Sequence, residues 1–526
     1  MFDLHVKWSR ATVLQAHTAQ KSRNTFISKS ISTSSYVVSA LSLPPQLLFN
    51  LSDLLNTAMG CFQVKILRGI KTSNPTHILE APPSPSFPPA SPSPHPHLIT
   101  QPTLSAPTKK PHPAMLVITA LFAALHLISG TGALVARAES KPTLAVYYPG
   151  YHSNLLPPES IPWDLYTHLD YFVATTGSEP SDDLKIENEE NLKAVVSGAK
   201  SHGVSVSLTV GGWTGSKYFS KLVADEESRK TFVQTILRAV KKYDFDGVDL
   251  DWEYPNVPGN DGNILSKDDS ANYLKFLKTL RQVLGSKARI SAAVAVHGFM
   301  GPDGKYLTDH KAYAEVLDFI TIMAYDLYSP SSGELAGPNA PMFDTCNDPE
   351  VKFSVDQAIK TWTSTGFPAA QILLGLPAYG YKYTMPNSEL TPTNFSGQSN
   401  LTSLFFSKFD KSAAPAPTES STAGPTTCGG EEDGHTWLYK DLVACGMLSA
   451  DGSQGLKGFT RHYDHCSRTP FLFDPSSKTF ISYDDPRSLA RKTKFAKSSG
   501  LAGVNVFDAT GDTQERVLIK AIKSSL

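Results

Sequence analysis

From residue 141 to the C-terminus, short apolar runs alternate with stretches of helical periodicity, and this alternation restricts the fold more than any other feature of the chain. Residues 144–148, 169–173, 204–210 and 247–251 read as four strands, and 290–296, 319–325, 372–377 and 503–507 as four more. Between the third and fourth, residues 223–243 place Phe232, Val233, Ile236, Leu237 and Val240 on one helical face. Residues 270–284 do the same with Tyr273, Leu277, Leu280 and Leu284, and Gly285 suits the C′ position that ends a helix. Eight such units predict an α/β fold, a parallel (β/α)8 TIM barrel with its site at the C-terminal strand ends. The seventh unit is too long for a loop, because about a hundred residues separate Leu376 from a helix opening near Ser488. A small α+β insertion after strand seven, spanning about residues 382–487, is therefore expected within a catalytic domain of residues 139–526.

Residues 1–114 read differently. They are poor in acids, rich in Ser, and become a Pro/Ser tract from Pro82 to Pro113, which lacks the apolar surface to fold. An uncharged apolar run then extends from Met115 to Ala136 and ends in Ala136-Arg137-Ala138, a small-x-small cleavage pattern. Two readings compete for 115–138. One is a secretory signal peptide with translation from Met115, and a secreted body. The other is a signal anchor behind Lys109 and Lys110, which would leave the catalytic body outside a membrane. A transit peptide is a third option, and the cysteines of the body argue against it.

Charge is divided unevenly along the chain. Residues 1–138 hold Asp3, Asp53 and Glu80 against eleven Lys and Arg, so 46 of the 49 acidic and 37 of the 48 basic residues fall in 139–526. An acidic body excludes nucleic acid as the expected partner. Of five cysteines, Cys61 lies in the basic segment, and Cys346, Cys428, Cys445 and Cys466 form an even set suited to two disulfides. Three pairings remain open. No CxxC pair is present, so no structural metal is expected, and no cofactor is implied. Asn394-Phe-Ser and Asn400-Leu-Thr are acceptable glycosylation sequons.

The chemistry concentrates in Asp246-Gly-Val-Asp249-Leu-Asp251-Trp-Glu253-Tyr-Pro. Residues two apart on a strand share a face, about 6.5–7 Å from one another. Asp249, Asp251 and Glu253 thus point into the barrel, with Glu253 nearest the rim, while Val248, Leu250 and Trp252 face the outer helices. Asp246 has the opposite parity and precedes the strand, which suits a structural role. Aligned carboxylates in a barrel interior cannot all ionise cheaply, so their pKa values should separate into an acid and an anion.

This segment carries the DxxDxDxE signature of glycoside hydrolase family 18, and residues 141–526 resemble the chitinases of that family. Thr209-Val-Gly211-Gly212-Trp213 is similar to the family's SxGG motif, with Thr in place of Ser, and Met323-Ala-Tyr325-Asp326 to its MxYD motif. The resemblance implies a retaining hydrolase of β-1,4-linked N-acetylglucosamine in which the substrate's own acetamido oxygen attacks the anomeric carbon. That mechanism is an exception to the rule of two carboxylates facing each other across the bond. In it Glu253 is the general acid and base, Asp251 holds the acetamido N–H, Asp249 shares a proton with Asp251, and Tyr325 orients the acetamido carbonyl. Trp213, Tyr148, Met323, Asp326, Tyr379 and Phe507 are candidate cleft residues, Tyr381 stands beside them, and Gly211 and Gly212 are expected to let backbone pass close to the site.

Two departures from the family pattern concern the pocket wall. Phe507 stands where the family's chitinases usually have Trp, a smaller stacking face beneath the sugar. Val173 stands where Phe is usual, which predicts a thinner wall at strand two. The expected partner is chitin or chitooligosaccharide, with no protein partner implied and a membrane only if 115–136 stays uncleaved. A chitin-binding lectin on the same barrel and a hydrolase of N-glycan cores are the alternatives.

Overall fold

Eight parallel strands close into a barrel in the computed structural model, which describes residues 141–331, 333–343, 353–390, 393–394, 402–405, 407–411, 428–430 and 434–526. The first seven are β1 (Thr143–Pro149), β2 (His168–Thr175), β3 (Ser205–Gly211), β4 (Gly247–Asp251), β5 (Arg289–Val294), β6 (Phe319–Ile322) and β7 (Ile372–Pro377). The eighth barrel strand, Gly503–Phe507, is numbered β13 because five strands of an inserted sheet precede it in the chain. Each pairs in parallel with its neighbours, and β1 hydrogen-bonds both β2 and β13, so the barrel has no open edge. All described residues belong to one compact unit, Ala114–Leu526.

Alternation along each strand sorts the side chains. Leu144, Val146 and Tyr148 of β1, Val206, Leu208 and Val210 of β3, and Val248 and Leu250 of β4 join the hydrophobic core between strands and helices. Their helical partners include Phe232, Val233 and Ile236 of α2 (Glu226–Tyr243) and Tyr273, Phe276 and Leu277 of α3 (Asp269–Leu284), α1 being Glu189–Ser201. Asp225 caps α2 by accepting from the Ser228 amide, and Gly285, at φ +80°, ends α3 as the sequence predicts. The opposite faces supply a polar interior that includes Asp170, Ser207, Thr209, Asp249, Ser291, Thr321 and Asn505.

Three further helices are α4 (Val355–Ser364), α5 (Pro486–Ser498) and α6 (Val517–Lys523). The seventh unit carries an antiparallel five-stranded sheet of β8 (Tyr379–Thr384), β9 (Thr436–Leu438), β10 (Thr460–Asp464), β11 (Thr469–Asp474) and β12 (Thr479–Ser482), ordered β9-β8-β12-β11-β10. It begins immediately after β7, so Tyr379 and Tyr381 reach the barrel mouth from an insertion strand. Cys428 and Cys445 form a disulfide, and Cys466 is also disulfide-bonded. Cys346, Asn400 and residues 1–138 lie outside the described residues, and Asn394 sits in a two-residue strand paired with Thr402–Ser403. Among the described residues no helix is long and apolar enough to cross a membrane.

Strands five and six are shorter than the sequence suggests. β6 stops at Ile322, where the Ala324 amide donates back to the Ile322 carbonyl and turns the chain inward. Asp326 then adopts φ +59°. The motif after β6 is thus a turn laid across the barrel mouth.

Candidate active site

The carboxylate row lies along the barrel axis as its alternation requires. Asp249 is fully buried and its carboxylate accepts from Ser291 Oγ at 2.7 Å and from the Tyr147 hydroxyl and Thr209 Oγ1, each at 3.3 Å. Thr209 therefore supplies the hydroxyl expected of the residue opening its motif. Burial, followed by the nearby Asp170 carboxylate, raises Asp249 to about 7 against the pull of these three donors. Asp251 is buried, and its Oδ1 has no hydrogen-bond partner. Burial and the flanking Glu253 and Asp249 carboxylates hold its pKa well above the usual range. The three acids of this row thus cannot all be anions at neutral pH.

Glu253 lies two residues past the end of β4 and stands at the rim. Its amide donates to Ser216 Oγ at 2.9 Å, and its carbonyl accepts from Asn263 Nδ2 at 2.9 Å. Ser216 is fully buried and also reaches the carbonyls of Gly212 and Asp251, at 2.8 and 3.1 Å. One hydroxyl thereby ties the turn after β3 to the end of β4. The loop beyond Glu253 is anchored by Asp269, which accepts from the amides of Asn256 and Ser266 and from Ser220 Oγ. Glu253 keeps a surface open to the cleft, but protein crowds its carboxyl, and burial raises it to about 7. A hydrogen bond from Tyr254 works against that rise.

Gly211 is required by close approach of backbone, and Gly212 chiefly by its positive φ. Gly211 has φ +119°, and a Cβ there would stand 2.1 Å from the Asp251 carbonyl oxygen. Gly212, at φ +75°, would bring one to 3.1 Å from the Phe172 ring. Trp213 follows on a one-turn helix and is 51% exposed, which excludes a core role.

These elements frame a cleft of about 580 Å³ lined by Tyr147, Phe172, Trp213, Tyr325, Tyr379 and Phe507 around Asp251 and Glu253. Met323 and Asp326 also line it. Phe507 lies 5.3 Å from Phe172, 5.6 Å from Tyr147 and 6.1 Å from both Tyr325 and Tyr379. Asp326 Oδ1 accepts from the hydroxyls of Tyr379 at 2.5 Å and Tyr381 at 2.6 Å, and the Asp326 amide donates to Asn339 Oδ1. The carboxyl opens toward the cleft, yet the surrounding protein desolvates it and raises its pKa despite the two phenols. The peptides Phe172–Val173, Glu253–Tyr254 and Phe507–Asp508 are all cis and all border the cleft. Among the described residues no three His, Cys, Asp or Glu side chains are grouped to hold a metal.

The model of the family described as glycosyl hydrolases family 18 matches residues 143–512. The chain belongs to that family. It is 36% identical over 407 residues to a chitinase-like effector of Moniliophthora roreri, covering 77% of this chain and 98% of that one. Chitinase A1 of Niallia circulans is 30% identical over 339 residues, covering 61% of this chain, which spans 42% of that longer relative. The structure of a chitinase from Rhizomucor miehei superimposes with a TM-score of 0.62 at 32% identity, covering 73% of this chain and 99% of that one. The chain is therefore a chitinase-like member of family 18.

Within this family site the structure corrects two sequence expectations. Tyr148 is not in the cleft: its side chain has no exposed surface, its hydroxyl donates to the Leu156 carbonyl at 2.7 Å, and its ring packs near Tyr171. The inward residue of β1 is Tyr147, as the alternation with Leu144 and Val146 requires. The wall at strand two is also not thinned by Val173. Phe172 shares the inward parity of His168 and Asp170 and places a ring in the cleft beside Val173, where the β2–β3 register shifts. Asp246 is structural, its carboxylate accepting from the Val206 amide at 2.8 Å at the base of β3. Sequence reasoning missed Tyr147, Phe172, Ser216, Asn263 and Asp269. Strand parity marks the first two, whereas the others are set by loop paths without sequence periodicity.

Proposed function

We propose that this chain hydrolyses β-1,4 linkages between N-acetylglucosamine units with retention of configuration, using the substrate's acetamido oxygen as nucleophile. The observation that carries the reading is Asp251 Oδ1, a buried carboxyl oxygen without a partner, next in the row to an acid held near neutrality. An unsatisfied buried acceptor at that place suits an acetamido N–H. Glu253 is protonated over the range where ordinary glutamates are ionised, so it can donate to the leaving oxygen and later take a proton from water. Asp249 helps the row hold one proton fewer than three, and Tyr325 faces the space the acetamido carbonyl would occupy. Asp326 also faces the cleft, but two phenols already donate to it, which argues against it as a nucleophile. Phe507, Phe172 and Trp213 supply apolar faces for sugar rings.

The test is product analysis on defined chitooligosaccharides with the wild type and Glu253→Gln. Wild type should release β-configured reducing ends, and the variant should bind the same oligomers without cleaving them. Wild type that binds oligomers and releases no reducing ends would support a second reading, sugar binding without turnover, which draws on the relatives named chitinase-like effectors. Action outside the cell is part of the proposal and is supported by the disulfide bonding of Cys428, Cys445 and Cys466. Secreted protein beginning after Ala138 would bear this out, and retention inside the cell would reject it.

A further inference from the structure

Below the carboxylate row lies a second buried acid that the proposed chemistry does not use. Asp170 projects inward from β2, and the register places it level with Tyr147 and Ser207, Ser207 in turn pairing with Gly247. Asp249 pairs one alternation higher, with Thr209 and Ser291, so Asp170 stands one layer beneath it. Asp170 Oδ1 lies 2.8 Å from His168 Nε2, and its Oδ2 accepts from Asn505 Nδ2 at 2.9 Å. Asn505 Nδ2 also reaches Thr321 Oγ1 at 3.2 Å, and Ser207 Oγ lies 3.3 Å from His168 Nε2. All five residues are at most 2% exposed.

The groups facing this layer decide what its charge can do. From β1 comes the Tyr147 hydroxyl, which donates upward to Asp249, and from β4 come Asp249 and, at its base, Asp246. From β5 comes Arg289, whose guanidinium lies 4.6 Å over the Phe319 ring, while β3, β6 and β13 present only the neutral Ser207, Thr321 and Asn505. On its own strand is His168. Burial outweighs the Asp170 carboxylate and lowers the His168 pKa, so the imidazole is neutral near pH 7 and donates from Nε2. Its Nδ1 is buried without a partner, which a lone pair tolerates better than a charged N–H would. The Asp170 carboxylate is therefore hydrogen-bonded but not neutralised by its histidine. A negative charge one layer below Asp249 disfavours a second one there.

We propose that Asp170, held by His168 and Asn505, is a positioning residue that keeps a proton on the Asp249–Asp251 pair from beneath. This rests on the proposed hydrolysis, in which that pair carries one charge rather than two. The structural device is a stack along the barrel axis, with one acid at each layer and the outermost one facing substrate.

Asp170→Asn preserves the geometry, because the amide can accept from Asn505 and donate to the other tautomer of His168. The experiment compares the full-length wild type, Asp170→Asn and His168→Gln by the pH dependence of kcat/KM on chitooligosaccharides. It also follows the carboxyl ¹³C titration of Asp249 in protein labelled at aspartate. In Asp170→Asn the acid limb and the Asp249 titration both move to lower pH, by about one unit. In His168→Gln, which keeps the carboxylate, both stay at their wild-type positions. An unmoved Asp249 in Asp170→Asn, or an equal shift in His168→Gln, overturns the inference. Imidazole ¹⁵N shifts of the wild type give a check that needs no folded variant: His168 is neutral with its proton on Nε2, and an imidazolium at neutral pH overturns the inference. A chain that titrates as described but hydrolyses nothing rejects the proposed function and leaves this inference standing.

Discussion

Replacing Gly211 with alanine should damage the site far more than the same change at Gly212, although both residues have positive φ. At Gly212 the new methyl meets the Phe172 ring edge at 3.1 Å, a contact relieved by a few tenths of an ångström of side-chain movement. The cost is then mainly that of a non-glycine residue in the left-handed region, about 1–2 kcal/mol. At Gly211 the methyl would lie 2.1 Å from the carbonyl oxygen of Asp251, so backbone of β3 or β4 must retreat by about 1 Å before the contact is ordinary. That carbonyl is fixed by Ser216, and its residue carries the carboxyl proposed to hold the substrate. A displacement of about 1 Å in a catalytic group costs on the order of 100-fold in rate. Gly211→Ala should therefore lose about 2–3 kcal/mol in urea unfolding and about 100-fold in kcat, with Gly212→Ala keeping kcat within about tenfold. Urea titration and steady-state kinetics on a soluble oligomer measure both quantities. Equal kcat for the two variants would refute the argument that the β3–β4 approach sets the position of Asp251.

The alkaline limb of kcat/KM should fall near pH 7, because the proposed hydrolysis needs Glu253 protonated and burial pushes its carboxyl up to about 7; full activity retained at pH 9 would contradict this. The same shift has a stability consequence. The folded-state value lies above the unfolded one, so ionising Glu253 costs stability progressively from the unfolded value up to about 7. Glu253→Gln should thus unfold later than wild type at pH 8, the gap closing toward pH 4, and a gap that is constant with pH would count against the assignment. Lys492 on α5 lies 2.5 and 2.6 Å from the two oxygens of Asp484, both side chains being buried. Lys492→Ala should cost about 3–5 kcal/mol by stranding the carboxylate, with much of it recovered when Asp484→Asn is added. A loss below about 1 kcal/mol in denaturant unfolding would show that water reaches the pair.

Much of the barrel was legible because its strands carry two signals at once, apolar side chains toward the helices and small or polar ones inward. The row of Asp249, Asp251 and Glu253 follows from that alternation alone. The same rule applied to β1 selects Tyr147, because Tyr148 shares the parity of the core-facing Leu144 and Val146. At β2 the rule selects Phe172 through its parity with Asp170, and both Phe172 and Val173 line the cleft. Asp326 illustrates what periodicity cannot supply, since its two tyrosines come from the first strand of the insertion. Ser216 and Asn263, which fix the backbone of Glu253, lie on connections whose paths depend on the assembled barrel.

The pairing of Thr143 with Gly503 has a consequence for how the chain reaches this state. β1 finds its second partner only when nearly all the sequence, insertion included, is in place. Until then the partly built sheet has two exposed edges, the outer side of β1 and that of β7. Closure of such a distant contact is slow, and an open parallel edge is a template for the wrong partner. A chain ending before Gly503 would lose Phe507 from the cleft and also leave those edges permanently unpaired. It should accumulate as aggregate rather than as an inactive soluble enzyme. The last strand is thus both a wall of the cleft and the piece that closes the barrel.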